Sequence, residues 1–439
     1  MDAPLTRRAI FAQAWPIMLG QATIPLVGLV DTAVIGRTGD TLALAGVALG
    51  ATIINFFFWT FGFLRMGVTG LTAQAEGAGD DGEVRALLAR GVALGIGFGV
   101  VLLALQTVLV PLALGLLAGG PEIDGPARAF VSARFLSAPA LLGGYAINGW
   151  LLGLGRTRAA LAIQIVANLA NIALDTLFVW HFHWGARGVG LGTAVADWIA
   201  FAAGIGIVLR GLGPMRLAGL FQVDALGKLL AVNADIMIRT VALLVMFAWF
   251  ANAGARLGAT QLAANQVLMQ FVSISAFVLD GFCFTAESRI GQAIGAGSRP
   301  RFWRAMRLTG EFCLAAAAIF AVLVAVMGDA MVDGLVASGD VRRAAYALMP
   351  LVAIVPLIGV PAWLLDGVFI GATAGRALRN AAIVSTAAYI ATDLLLRPFG
   401  ATGLWCALIT GYAYRALALG AFLPALSARI TVAPRPVAA

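Results

Sequence analysis

Twelve long apolar stretches divide this sequence, and that feature leaves few folds open to it. They run 11–36, 45–72, 89–116, 127–153, 159–182 and 187–210, then 228–254, 261–290, 305–330, 344–370, 377–397 and 401–427. Each is about 20–28 residues long, enough to cross the roughly 30 Å hydrocarbon layer of a bilayer as a helix. Backbone groups in lipid find no water to bond, so continuous spans of this length must be helical. With 61% hydrophobic and 11% charged residues, the chain lacks the polar surface to clothe a soluble body. The pattern predicts an all-α integral membrane protein of twelve transmembrane helices, spans 1 to 12.

The net charge of +8 does not imply nucleic acid as a partner. The basic residues are arginines apart from Lys228, and they punctuate the apolar stretches as topology signals. With loops assigned alternately, the side that holds both termini collects roughly 18 basic residues and the other about eight. Both termini are therefore expected in the cytoplasm, with the chain in a bacterial inner membrane and the bilayer as its surroundings. Arg7 and Arg8 precede span 1 as in a signal peptide, but no small-residue cleavage site follows, so span 1 is expected to be retained. Cys283, Cys313 and Cys406 lack metal-ligand spacing and are expected to pack as small hydrophobes.

The second half repeats the first. One constant offset lays Gln74-Ala-Glu-Gly77-Ala-Gly79 on Gln292-Ala-Ile-Gly295-Ala-Gly297, Asn148-Gly149 on Asp366-Gly367, Gly153 on Gly371, Arg158 on Arg376 and Asp175 on Asp393. A slightly shorter offset lays Gly185-Ala-Arg-Gly188 on Gly400-Ala-Thr-Gly403. Six spans per copy is an even number, so both copies enter the membrane in the same sense, the parallel-repeat plan of alternating-access transporters. Two pseudo-symmetric six-helix bundles are expected, residues 1–215 (spans 1–6) and 216–439 (spans 7–12), joined by a linker at 211–227 that holds Arg216. A solute is expected in the gap between such lobes.

Span 5 carries Asn168, Asn171 and Asp175 at spacings of three and seven, which places them on one helix face. Asp31 near the outer end of span 1, Asp175 near that of span 5 and Thr193 near that of span 6 lie at a common depth, about 10 Å below the outer surface. Two carboxyls among neutral oxygens, with no basic residue at that level on those spans, either share a proton or cage a cation such as Na⁺. Interhelical hydrogen bonding alone is the structural alternative. Asp197, one turn deeper than Thr193, extends a proton path or packs against Arg134. Arg239 is expected to pair with Asp235 one turn before it. For the substrate cavity the candidates are Asn148, the aromatic and Met positions Phe61 and Met66, and Asp366.

Taken together, Val30-Asp31-Thr-Ala-Val-Ile-Gly36, Phe61-Gly-Phe-Leu-Arg-Met-Gly67, Gly149-Trp-Leu-Leu-Gly153 and Asn171-Ile-Ala-Leu-Asp175 resemble the multidrug and toxic compound extrusion (MATE) family, in its DinF-like branch. So do Leu279-Asp-Gly-Phe282, Leu365-Asp-Gly-Val-Phe-Ile-Gly-Ala-Thr373 and Gly403-Leu-Trp405, so the resemblance spans nearly the whole chain. It implies a V-shaped pair of bundles that exchanges H⁺ or Na⁺ for amphiphilic, often cationic, organic solutes, needs no cofactor and can work as a monomer. Carried over, the family's cation site falls on Asp31, Asn171, Asp175 and Thr193, and an acidic span 10 position on Asp366.

Other functions fit less well. A lipid-linked precursor flippase would need a cluster of cavity cations for a diphosphate, and only the scattered Arg65, Arg239 and Arg415 offer any. A membrane transferase would need paired acidic metal motifs or a His-centred site, and neither is present. Gly153-Leu-Gly155 and Gly188-Val-Gly190 follow no strand and precede no Gly-Lys-Ser/Thr, which argues against ATP hydrolysis.

Overall fold

The computed structural model describes residues 5–117, 120–211 and 223–430. Among them every regular element is helical. In the first half, span 1 is α1 (Arg7–Gly36), and span 2 is broken into α2 (Thr41–Thr60) and α3 (Phe63–Ala78). Span 3 is α4 (Asp81–Leu117), and span 4 is α5 (Pro121–Phe135) with α6 (Ala138–Gly153), bent by 51° at the break. Span 5 is α7 (Thr157–Thr176) continued by a π-helical turn at Leu177–His181, and span 6 is α8 (Gly185–Gly211).

The second half follows the same plan. It comprises α9 (Val223–Arg256), α10 (Ala259–Gly295), α11 (Arg299–Leu335), α12 (Gly339–Tyr346) with α13 (Met349–Gly371), α14 (Gly375–Leu396) and α15 (Gly400–Ala428). Among the described residues, length and apolarity qualify ten stretches to cross a membrane, and an eleventh when α5 and α6 are taken together. One of the ten, Gly375–Ala428, holds two helices, α14 and α15, which brings the count to the expected twelve. The repeat is visible in the boundaries: the offset that carries Gln74 onto Gln292 also carries both ends of α4 onto those of α11, and the start of α7 onto that of α14. The helices overrun the apolar stretches, because polar first turns extend past the hydrocarbon. α4, for example, starts at Asp81, where Asp80 accepts the Glu83 backbone N–H at 2.9 Å. Most of the expected linker, Arg216 included, lies outside the described residues.

Two compact units emerge. One gathers the described parts of Leu19–Thr72 and Asp80–Leu230; the other gathers those of Met1–Met18, Ala73–Gly79 and Ala231–Ala439. The division falls inside α1, α3 and α9. In the first unit the buried Trp150 donates its indole N–H to the Val84 carbonyl at 2.8 Å, so an aromatic body packs apolar while its polar atom is satisfied. In the second, Phe250 meets Trp405 edge-on at 5.3 Å, and Trp405 donates to Asn265 Oδ1 at 3.0 Å. Helices in lipid gain little from apolar burial against one another, so close approach of small residues has to supply the packing. Gly77 and Gly295, mates in the repeat, show this within the second unit. A Cβ on Gly77 would strike the Gln292 carbonyl, and one on Gly295 would strike the Gln74 carbonyl.

Candidate functional site

Asp31 on α1, Asn171 and Asp175 on α7, and Thr193 on α8 meet inside the first unit, and all four are buried. The Asn171 amide is their hub. Its Nδ2 donates to Thr193 Oγ1 at 2.9 Å and to Asp175 Oδ2 at 3.0 Å, and reaches Asp31 Oδ1 at 3.4 Å. An amide has two hydrogens, so these three contacts cannot all be full bonds at once. Thr193 donates its own hydrogen to the Val189 carbonyl at 3.0 Å, which fixes it as an acceptor toward Asn171.

Two acceptors of the cluster, Asn171 Oδ1 and Asp175 Oδ1, are buried without a hydrogen-bond partner. The Asp31 and Asp175 carboxyls both approach the same Asn171 Nδ2. Among the described residues neither accepts a hydrogen bond from an arginine or lysine. Neighbouring carboxyls with spare acceptors and no hydrogen bond from a cation form a set that fits one proton or one small hard cation.

Two residues that sequence reasoning did not single out hold this geometry. A Cβ at Gly192 would strike Asp175 Oδ1, so α8 can bring Thr193 this close only because residue 192 has no side chain. Trp180, in the π-turn that follows Asp175, donates its indole N–H to the Val34 carbonyl at 3.0 Å and ties span 5 to α1 just past Asp31. The available signal was the alternation Gly188-Gly190-Gly192. Its members approach the Phe178 carbonyl, the Phe130 carbonyl and Asp175, so the run serves packing rather than phosphate binding.

The structure does not bring Asn168 into the cluster. It is half-buried and accepts from Gln164 Nε2, one turn back, at 2.9 Å. Asp197 takes the packing alternative: Arg134 bonds it at 2.6 Å and Ser137 Oγ at 2.7 Å, at the break between α5 and α6. Trp198 donates to the Leu136 carbonyl freed by that break, at 3.1 Å.

In the second unit the expected Asp235–Arg239 pairing gives way to partners on other helices. Asp235 pairs with Arg379 at 2.7 Å, while Arg239 and Arg415 both bind Asp366 Oδ2. Interhelical partners in a buried setting outcompete the intrahelical spacing that suggested the pair. Of the cavity candidates, Phe61 packs against Phe63 and Phe98 with ring centroids 5.6 and 5.8 Å away. Met66 and Asn148 are half-buried, and Asn148 makes no side-chain hydrogen bond among the described residues.

Known proteins place this architecture. The MatE family profile matches residues 16–177 and again 236–402, once in each half. DNA damage-inducible protein F of Escherichia coli (strain K12) is 36% identical over 423 residues, covering 94% of this chain and 91% of that one. A probable multidrug resistance protein NorM of Pseudomonas putida is 28% identical over 452 residues, covering 95% and 94%. Among solved structures, the Vibrio cholerae MATE transporter VcmN in its bent form superposes with a TM-score of 0.85 at 19% identity over 97% of each chain, a likeness of fold. With twelve spans in two repeats, a family match in each repeat and a near-full-length relative at 36% identity, the chain belongs to the MatE family and is a membrane transporter rather than an enzyme.

Proposed function

We propose that this transporter is a secondary antiporter that exports amphiphilic or cationic organic compounds, multidrug efflux in kind, in exchange for inward H⁺ or Na⁺ bound at Asp31, Asn171, Asp175 and Thr193. The carrying observation is the Asn171 hub, which joins two adjacent carboxyls and a hydroxyl and leaves two buried acceptors unpaired. Relatives named for multidrug resistance support the substrate class.

In this mechanism an ion arriving from outside cancels one of the two negative charges of the Asp31 and Asp175 pair. Asn171 then no longer bridges two charged acceptors, and α1 and α7 are released to rearrange while substrate leaves. Release of the ion to the cytoplasm resets the carrier. The ion must bind the two conformations with different affinity, and a full population swing needs about 5.5 kcal/mol of difference. Lobes of residues 1–215 and 216–439 carry the alternation, a single chain suffices, and both termini face the cytoplasm of the inner membrane. Phe61, Met66 and Asn148 line the substrate path. Asp366 is structural, since two arginines already hold it, and this commitment of Arg239 and Arg415 also disfavours the flippase reading, which needs cations for a diphosphate. Asp197 is likewise a structural partner of Arg134.

The test is efflux of a fluorescent lipophilic cation from proteoliposomes under an imposed pH gradient or, separately, an imposed Na⁺ gradient. One gradient alone is expected to drive efflux, and Asp31→Asn to abolish it while insertion stays normal. Full activity in Asp31→Asn would sink the coupling site, and no movement under either gradient would sink the antiporter.

A further inference from the structure

A cleft of about 510 Å³ in the second unit is lined by Thr6, Arg7, Arg8, Arg304, Arg307 and Glu311, with Leu308 at its floor. It lies between the start of α1 and the first four turns of α11. Four guanidinium groups face one carboxylate. Glu311 bridges Arg7 at 2.9 Å and Arg307 at 3.0 Å, and Arg304 spends its Nε on the Leu5 carbonyl at 2.7 Å. The Arg8 side chain makes no ion pair or hydrogen bond among the described residues. The Arg7 and Arg307 side chains are 68% and 77% exposed, so the surplus positive charge is open to a ligand.

What lies beside the cleft says which ligand. One turn beyond Arg7, Phe11 is 50% exposed; two turns beyond Arg307, Leu314 is 54% exposed; and Trp303 is exposed next to Arg304. Basic groups at the helix ends, an interfacial Trp and an apolar wall running on from them match the profile of a phospholipid, from phosphate to acyl chain. α11 has 37 residues where about 20 cross the hydrocarbon, so its charged first turns reach the headgroup layer. We propose that this cleft binds the anionic phosphodiester headgroup of a membrane phospholipid, such as phosphatidylglycerol or cardiolipin. A free phosphate would use the same guanidinium groups but would gain nothing from the wall.

Native mass spectrometry of the full chain in neutral detergent tests this, with titrations of phosphatidylglycerol, phosphatidylethanolamine and inorganic phosphate. Phosphatidylglycerol is expected to be retained in preference to phosphatidylethanolamine. Retention should fall roughly fivefold for each arginine lost in Arg8→Gln and Arg8→Gln/Arg307→Gln. Glu311→Gln is expected to raise retention by a similar factor, a gain that misfolding cannot mimic. Equal retention of the two lipids, unchanged retention in all three variants, or displacement by inorganic phosphate as effective as by lipid overturns the proposal.

Discussion

The two halves share a backbone plan but differ in chemistry at matching positions. The offset that pairs Gln74 with Gln292 carries Asp31 onto Trp249, Asn171 onto Tyr389 and Asp175 onto Asp393, and the one that pairs Gly185 with Gly400 carries Thr193 onto Leu408. In the first half the result is two carboxyls bridged by an amide, with no cationic hydrogen-bond partner among the described residues. In the second, the single carboxyl of Asp393 accepts the Trp249 indole N–H at 2.9 Å and has Arg397 at 3.9 Å. Asp366, a further buried acid of the second half, is held by Arg239 and Arg415. The same helical scaffold thus occurs twice, with two acids free of a cationic hydrogen-bond partner in one copy and, in the other, with Asp366 and Asp393 each beside an arginine. A buried acid bonded to a fixed counter-charge serves folding; one bonded only to a neutral group is open to an ion.

The largest effect should come from the acid that has partners. Asp366→Ala leaves two buried guanidiniums without a counter-charge and is expected to cost about 3–5 kcal/mol, read as a lower unfolding temperature of the purified protein in detergent. An unchanged transition would mean that the arginines find other partners, and the contrast between the halves would break there. Next comes an acid whose only hydrogen-bond donor among the described residues is a neutral amide. Asp175→Asn keeps the shape of the side chain, so folding should be retained while gradient-driven efflux falls about 100-fold, the upper end of ordinary coupling free energies. Asp393→Asn, its repeat mate, should leave efflux intact, and equal losses in the two variants would erase the distinction.

Much of this was legible before any coordinates. Apolar stretches report the part of each span in hydrocarbon, so they mark all twelve spans but neither their polar ends nor the breaks within spans 2 and 4. Asp31, Asn171, Asp175 and Thr193 could be grouped because depth and helical period are properties of sequence. Asn168 shares that period, yet Gln164 one turn back takes its side chain, a choice between two neighbours that spacing leaves open. The partners of Asp235 and Arg239 were misjudged because their true mates, Arg379 and Asp366, lie on helices far along the chain. Gly192 escaped notice because what matters there is the absence of a side chain beside Asp175.

Gly192 gives the third test. A methyl in Gly192→Ala must push Asp175 or α8 aside, an overpacking cost of about 1–3 kcal/mol, and efflux should fall with it while the helical content measured by circular dichroism holds. Unimpaired efflux would mean that the cluster tolerates displacement and that its tight geometry is incidental.

The smallest effect is expected at Trp249, and it probes the quiet half directly. Trp249→Phe keeps most of the packing volume but removes the indole donor to Asp393. Interhelical hydrogen bonds in lipid are worth about 0.6 kcal/mol on average, so the unfolding temperature should drop only slightly. Arg397 remains near Asp393 as a counter-charge, so efflux and its choice of driving ion should not change. If instead the variant acquires a new dependence on Na⁺ or pH, removal of a single N–H has been enough to free an acid for an ion. Partner occupancy, rather than the number or position of acids, would then be what separates the two halves.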